Sequence, residues 1–491
     1  MTAEKIATYC FQCVNGPDLL KVEVRDGVAT GIEPNFDLMG EHPADGKVCV
    51  KPYGHVQKLY NPHRILKPMR RTNPRKGRDE DPGWEEISWD EALDWVAEKL
   101  CAIRERGLVD DQGSPRLAVT TGGGGTPFWY MGTFTAFLDA WGPIDKSLGA
   151  GGTVKCYHSE HVFGELWHRA FVTCPDTPNC DYVISFGNNI DVGGGVTGVR
   201  RHADARGRGA QRIQFEPHLS VTGASASRWV PIKPKTDSAV LFAMLHVLVH
   251  EHTVDELDAA FLKDRTASPY LVGPNGFYLR DPATRKPLIW DLKTGRAVTF
   301  DTQGTDPAVE GRFSIDALEV GADEDEWTHT GAAAVPAFEK LKTHLAAHTP
   351  EWAETISDVE AATIREVTND FLTHAHIGES VDIEGRTLPY RPVAVVLGRG
   401  VNNGWGSLEC VWARTVMVTL VGALEVPGGL LGGTVVINAP PFNRPDTVTA
   451  GVDGFMDQPF NATERDQWIA EPNVRHAHQT LLPLVSNSFY S

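Results

Sequence analysis

The sequence predicts a multidomain α/β chain, in which a small cysteine-bearing N-terminal module precedes parallel-sheet domains of the dinucleotide-binding type. Three observations predict it. Cys10, Cys13 and Cys49, three of the eight cysteines, all fall before residue 50. Beyond them, short apolar runs that end at glycine or acidic turns alternate with helix-period stretches, the rhythm of β-α-β units. With 491 residues, 41% hydrophobic and 22% charged, the chain is long enough to bury several cores.

Charge and hydropathy exclude whole classes of function. The net charge is −18, and no basic block is long enough to track phosphates, so nucleic acid is not an expected partner. The apolar runs Ala239–Val249 and Val416–Val426 are too short to span a bilayer. Residues 1–6 carry no secretory or twin-arginine pattern, so the expected location is the cytoplasm. Unevenly spaced cysteines in such a chain predict a metal site and no disulfide framework.

The elements follow in order. Leu20–Val24 alternates as a strand, and Arg25-Asp26-Gly27 turns it back. A module of this size, closed by Cys49-Val50-Lys51, needs a metal as a staple. After the polar linker 70–83, Ser88-Trp89-Asp90-Glu91 forms a capping box. It opens a helix with Ala92, Leu93, Val96, Ala97, Leu100 and Ile103 at helical period. Arg116–Thr121 reads as a strand that runs into four glycines. Further strands are expected at Asp181–Phe186, Arg212–Phe215 and Pro392–Leu397, with helices from Ser238 and over Cys410–Val421. Capping boxes at Thr253/Glu256 and Ser357/Glu360 predict two more helices, and 268–312 reads as a β-rich insertion.

The candidate chemistry sits on this frame. Cys10, Cys13 and Cys49 suit a 4Fe-4S cluster or a zinc ion completed by His42 or His55. The position four after Cys13 is Pro17, so Asp18 is the candidate fourth cluster ligand, with Asn15, His42 or an external group as alternatives. Cys156 follows Gly151-Gly152 and is flanked by His158 and His161. A thiolate there suits a soft or high-valent metal, and the imidazoles can move protons. Gly187-Asn188-Asn189, Glu216-Pro217 and Lys235-Thr236-Asp237 each stand where a strand should end, as do Gly398 and Gly400. Backbone and Asn groups at such ends can hold phosphates, and Asp237 can accept from a guanine edge.

This ordered set resembles the molybdenum and tungsten bis-pterin guanine dinucleotide oxidoreductases, the dimethyl sulfoxide reductase superfamily. The resemblance rests on Cys10-x-x-Cys13 with Cys49-x-Lys51, Ser88 to Leu93, Cys156, Gly187-Asn188-Asn189, Lys235-Thr236-Asp237, and Gly422 with Gly428-Gly429. It implies a 4Fe-4S cluster on the N-terminal cysteines Cys10, Cys13 and Cys49, with Lys51 bridging cluster and pterin. It further implies Cys156 as the ligand to molybdenum or tungsten, and a bis-molybdopterin guanine dinucleotide whose guanine meets Asp237. The runs Cys10–Asp18, Arg71–Arg78 and His158–His161 resemble the large subunit of phenylacetyl-CoA:acceptor oxidoreductases. Tyr157 after Cys156, and Asn438-Ala439-Pro440 further on, depart from the formate dehydrogenase pattern.

The resemblance implies oxidation of an aryl-acetyl thioester to a 2-keto acid, with electrons leaving through the cluster to an iron-sulfur partner subunit. A membrane-anchor subunit would hold the complex at the inner face of the membrane. One rival is a reductase of arsenate, thiosulfate or polysulfide on the same cofactors; another is a cofactor-free scaffold or electron-transfer subunit. The expected domains are 1–69 (iron-sulfur module), 70–150 (first α/β part), 151–435 (dinucleotide-binding-like, with the metal-ligand cysteine and the insertion) and 436–491 (return to the second domain). Relatives in the superfamily continue into a C-terminal domain that closes over the pterins, so the chain reads as truncated.

Overall fold

The computed structural model describes residues 3–10, 18–41, 44–122, 137, 140–149, 160–168, 172–274, 276–315, 318–322, 325–329, 332–403 and 406–433. It divides into two compact units, one of Met1–Gly152 with Gly194–Arg200, the other of Thr153–Gly193 with Arg201–Ser491.

In the first unit, β1 (Glu4–Cys10), β2 (Asp18–Arg25) and β3 (Val28–Pro34) form an antiparallel sheet. The turn falls at Asp26 (φ 51) and Gly27 (φ 79), the pair of positive φ values that a tight hairpin needs. Register places Cys10, the last residue of β1, opposite the backbone of Asp18. A 3-10 turn over Lys51–Gly54 leads into the short helix α1 (His55–Leu59). Helix α2 (Trp89–Glu105) starts as expected, with Ser88 Oγ accepting from the Glu91 N–H at 3.1 Å. Its apolar stripe does not form a core face: no α2 residue is buried, and Trp89 and Leu93 are 66% and 61% exposed. Amphipathic spacing predicts which face seeks cover, not whether described residues supply it.

The second unit is built on a parallel four-stranded sheet of β4 (Tyr182–Phe186), β5 (Gln211–Glu216), β6 (Arg228–Pro231) and β7 (Val393–Leu397). Their spatial order is β6-β5-β4-β7. The helix Gly195–Gly207, which joins β4 to β5, is shared between the two units. All five residues of β4 are buried, as a strand covered on both faces must be. Ile184 lies between Ile213 and Val395 in register, and Phe186 stacks on Phe215 with ring centroids 4.6 Å apart.

Helix α3 (Asp237–His246) is apolar around most of its circumference and correspondingly buried, with Val240, Leu241, Met244 and Leu245 at 0% exposure. It continues into a π-turn at Val247–Glu251. Helix α4 (Ala361–His374) and helix α5 (Ser407–Leu420) add to the same core. The stretch 268–312 contains the strands Leu271–Val272, Leu288–Asp291 and Arg296–Thr299, and Leu271, Leu279 and Leu288 share a small core with Ile315 and Ala334.

Two expected helix starts differ. Thr253 N–H does donate to the Glu256 carboxylate at 2.8 Å, but the motif closes only a 3-10 turn. The α-helix begins at Ala259, where the Asp258 side chain caps Phe261. Ser357 ends a helix, donating to Ala353 O at 2.7 Å, and Asp358 (φ 62) breaks the chain before α4. A local hydroxyl-to-carbonyl bond within its own helix outcompetes the cap.

Candidate functional site

Parallel strands present their C-terminal ends on one edge, and a crevice opens where successive connections leave in opposite directions. The chain steps from β4 to β5 to β6, then returns to place β7 on the far side of β4. The switch point therefore lies between the ends of β4 and β7, marked by Gly187 and Gly398.

The two glycines touch closely. A Cβ added to Gly398 would lie 2.0 Å from Gly187 O and 2.8 Å from Asn188 N. Gly187 itself has φ +59. Their amides close the strand ends, Gly187 N–H donating to Phe215 O and Gly398 N–H to Phe186 O, both at 2.8 Å. Gly187 is exposed at this edge and Gly398 is buried against it, so the two strand ends pack backbone to backbone with no side chain between them.

Lys235 bridges to the same loop. Its Nζ donates to Gly400 O at 2.6 Å and to Asn403 O at 2.8 Å. It does so from a left-handed backbone, φ 66, a conformation that costs a non-glycine residue about 1 kcal/mol or more. Thr236 N-caps α3 by position, but its hydroxyl turns back to Lys233 O at 2.7 Å. Asp237, the first residue of α3, is 8% exposed. Burial raises its carboxyl above the usual range, with Lys235 pulling partly the other way. Cys410 lies within the field of this carboxylate, its own thiol pushed up to about 12, chiefly by burial.

The raised Asp237 value has a definite sign. Its ionised form is disfavoured by folding, so its contribution is intact below the unfolded carboxylate pKa, about 3.9, and is lost as pH rises through the folded value. Asp237→Asn is expected to stabilise the ligand-free chain at pH 7 and to be neutral near pH 3.5. Denaturant melts at the two pH values check this.

The other predicted residues of this edge have structural partners. Asn188 O accepts from Gln214 Nε2 at 3.4 Å, and Asn189 Oδ1 accepts from Thr222 Oγ1 at 2.9 Å. Glu216 is turned inward: Oε1 accepts from Ser220 N–H at 2.7 Å and Oε2 from Gln214 Nε2 at 3.1 Å. Pro217 is exposed. Sequence reading missed Gln214 and Asn403. Both carry a buried side-chain oxygen, Oε1 and Oδ1, that accepts from no group among the described residues, and Ser407 Oγ at the start of α5 is likewise unpartnered among them. Orphaned acceptors around a glycine-lined edge are what a ligand with N–H donors would satisfy, so the residues present fit a guanine nucleotide.

The second constellation lies in the first unit. Cys10 is buried and Cys49 half-buried, and neither is in a disulfide. Cys10 Sγ lies 3.5 Å from His55 Nε2, while Lys51 is exposed at the start of its turn. The backbone register sets Asp18 beside Cys10. The donor set of thiols, a neighbouring imidazole and a lysine fits an iron-sulfur cluster. Cys13, Cys156 and His158 lie outside the described residues, and His161 falls in the helix Glu160–Phe163 with only its backbone described.

The glycines Gly422, Gly428 and Gly429 hold a tight corner. A Cβ at Gly422 would lie 2.4 Å from Asp258 Oδ2, at Gly428 2.5 Å from Pro392 Cα, and at Gly429 2.6 Å from Ala423 O. Asp258 in turn accepts from Arg391 Nη2 and Nε at 2.8 and 3.1 Å. Arg391 and Pro392 lead into β7, so this corner fixes the N-terminal end of that strand, the end away from the crevice.

Residues 64–452 match the Molybdopterin oxidoreductase family. A sulfite dehydrogenase subunit of Allochromatium vinosum is 25% identical over 453 residues, 86% of this chain and 43% of its own. The thiosulfate reductase molybdopterin-containing subunit of Salmonella typhimurium is 30% identical over 230 residues, 45% of this chain and 26% of its own. Acetylene hydratase from Pelobacter acetylenicus superposes with a TM-score of 0.54 at 16% identity, covering 88% of this chain and 45% of that one, a likeness of fold. The chain thus spans less than half the length of these proteins. No helix among the described residues is long and apolar enough to cross a membrane.

Proposed function

Because this chain belongs to the molybdopterin oxidoreductase family, we propose that it works as the catalytic subunit, or the N-terminal portion of one, of a molybdenum- or tungsten-pterin oxidoreductase. The observation that carries this reading is the close backbone approach of Gly187 and Gly398 at the β4/β7 switch point, with Lys235 tying the loop that follows and Asp237 buried two residues on.

In this reading Asp237 would accept from the guanine edge, and the backbone at Gly187, Asn188 and Gly398 would hold the nucleotide. Asn403 Oδ1 and Gln214 Oε1 would gain the donors they lack among the described residues. Lys235 acts as a positioning residue that fixes the Gly400–Asn403 loop. Cys156 would supply the thiolate for the metal, and His158 or His161 would move protons. The metal centre, when bound, would supply a two-electron redox couple. Cys10, Cys13, Asp18 and Cys49 would hold the cluster, with Lys51 between it and the pterin, and an iron-sulfur subunit would take up the electrons.

For the substrate, the aryl-acetyl thioester expected from the motif runs gains no support from these relatives. Relatives named for sulfite and thiosulfate favour a small chalcogen oxyanion. The first test is elemental analysis of the purified chain. Iron together with molybdenum or tungsten is the expected result; zinc alone would overturn the cluster, and a metal-free chain would leave the scaffold reading. A substrate panel then decides the rest: oxidation of phenylacetyl-CoA with no turnover of sulfite, thiosulfate or arsenate would replace the oxyanion assignment.

A further inference from the structure

The contact between Cys10 Sγ and His55 Nε2, 3.5 Å apart, places an imidazole against a thiol expected to hold iron. Both partners are set by local structure. Cys10 ends β1 and is 9% exposed, while His55 opens α1 behind a turn anchored by the buried Pro52.

The distance discriminates among roles. On one zinc ion, bonds of about 2.3 Å to sulfur and about 2.0 Å to nitrogen at a tetrahedral angle would put the two atoms roughly 3.5 Å apart. A zinc ion on these thiols, however, would gather its ligands around one point, and Cys49 does not converge with Cys10 and His55 in that way. In a 4Fe-4S cluster each protein ligand takes a different iron, so two ligand atoms cannot approach to hydrogen-bonding distance. His55 is therefore too close to Cys10 to be the fourth cluster ligand; Asp18, whose backbone pairs with Cys10, stays the candidate.

A hydrogen bond satisfies the geometry. An iron-bound thiolate has no proton, so the ring must be the donor. We propose that His55 donates its Nε2–H to the Cys10 thiolate and thereby raises the reduction potential of the cluster. The bond draws charge from the sulfur, which favours the more negative, reduced cluster. His55 acts through Cys10 and is a positioning and tuning residue. The inference rests on the cluster assignment made above.

The test is a redox titration followed by electron paramagnetic resonance, on the full chain with wild-type His55, His55→Phe and His55→Gln, alongside iron and zinc analysis. His55→Phe is expected to keep its iron and to show a more negative midpoint potential, which His55→Gln, still a donor, moves back toward wild type. Should His55→Phe fail to fold, the wild-type protein carrying 15N-histidine supplies the measurement: a weak nitrogen hyperfine coupling supports the hydrogen bond. A strong coupling, or a three-iron signal in His55→Phe, makes His55 a ligand and overturns the inference. An unchanged potential with iron retained also overturns it and leaves the cluster standing. Zinc without iron in the wild type defeats the cluster assignment itself.

Discussion

Arg414→Met is expected to cost about 3–5 kcal/mol of stability, the penalty for stranding a buried charge. Arg414 Nη1 donates to Glu160 Oε2 at 2.7 Å, and their side chains are 3% and 8% exposed. Glu160 Oε1 is already engaged by Thr173, accepting from its hydroxyl at 2.6 Å and its amide at 3.2 Å. Burial alone would push the Glu160 carboxyl up, but Arg414 and Thr173 together outweigh it and hold the carboxyl below the usual range. Without Arg414 only the burial and the Thr173 bonds remain, and the carboxyl moves upward. The pH response should then reverse. In the wild type this group's contribution is present above the unfolded carboxylate pKa and fades as pH falls through the folded one. In Arg414→Met it is present below the unfolded value and fades as pH rises. Among the described residues Arg414 Nε and Nη2 also find no partner, so the pair is not an optimal one. The double variant Arg414→Met/Glu160→Gln is therefore expected to recover most of the loss, to within about 1–2 kcal/mol of wild type. Urea unfolding between pH 4 and 8 reads all of this. A single variant no less stable than the double would refute the account.

The parallel sheet was legible where its strands are buried on both faces. Val393–Leu397 is a continuous apolar run and Tyr182–Phe186 one interrupted only by Ser185, each closed by glycine, a pattern that needs no long-range information. The binding edge was legible for a related reason: strand ends in such sheets collect Gly, Asn and Asp, and topology brings them to one side. What the sequence did not show is which of those side chains remain available. Glu216 reads like a ligand-facing carboxylate, yet two hydrogen bonds turn it into the fold. Asn403 and Gln214, with ordinary polar side chains, are the ones left with orphaned oxygens. Hydrogen-bond allocation depends on partners that are distant in sequence, and the same is true of Arg414, whose partner lies 254 residues away. The capping motifs fail on a smaller scale, since Ser357 finds a carbonyl in its own helix. Cys10 and His55 are separated by 45 residues, and only the three-stranded sheet and the Lys51 turn bring them together. His55 was visible beforehand as a zinc alternative; its 3.5 Å approach to Cys10 is what supports the hydrogen-bond reading.

Gly398→Ala is expected to be the most damaging single-methyl change in the crevice. The new Cβ would sit 2.0 Å from Gly187 O and 2.5 Å from Gly187 C. Both are backbone atoms at the end of the neighbouring strand, so no side chain can rotate away. Relief requires β7 to part from β4 at their C-terminal ends, and the 2.8 Å bond from Gly398 N–H to Phe186 O is lost first. The loop that follows then loses its registration with Lys235. The expected cost is about 3 kcal/mol, the upper part of the range for overpacking. Hydrogen exchange should locate it, with the amides of Gly398, Val401 and Asn402 exchanging faster while those of Ile184 and Val395 in the core keep their protection. Binding of guanosine diphosphate, used as a probe of the crevice, should fall with it. Gly400→Ala is the control, because a Cβ there meets nothing within 4 Å, and its effect should stay within about 0.5 kcal/mol. Equal stability and equal nucleotide binding in the two variants would mean that the approach of Gly187 and Gly398 does not shape the site. A loss confined to Gly398→Ala would show that the backbone contact between the two strand ends is what the nucleotide needs.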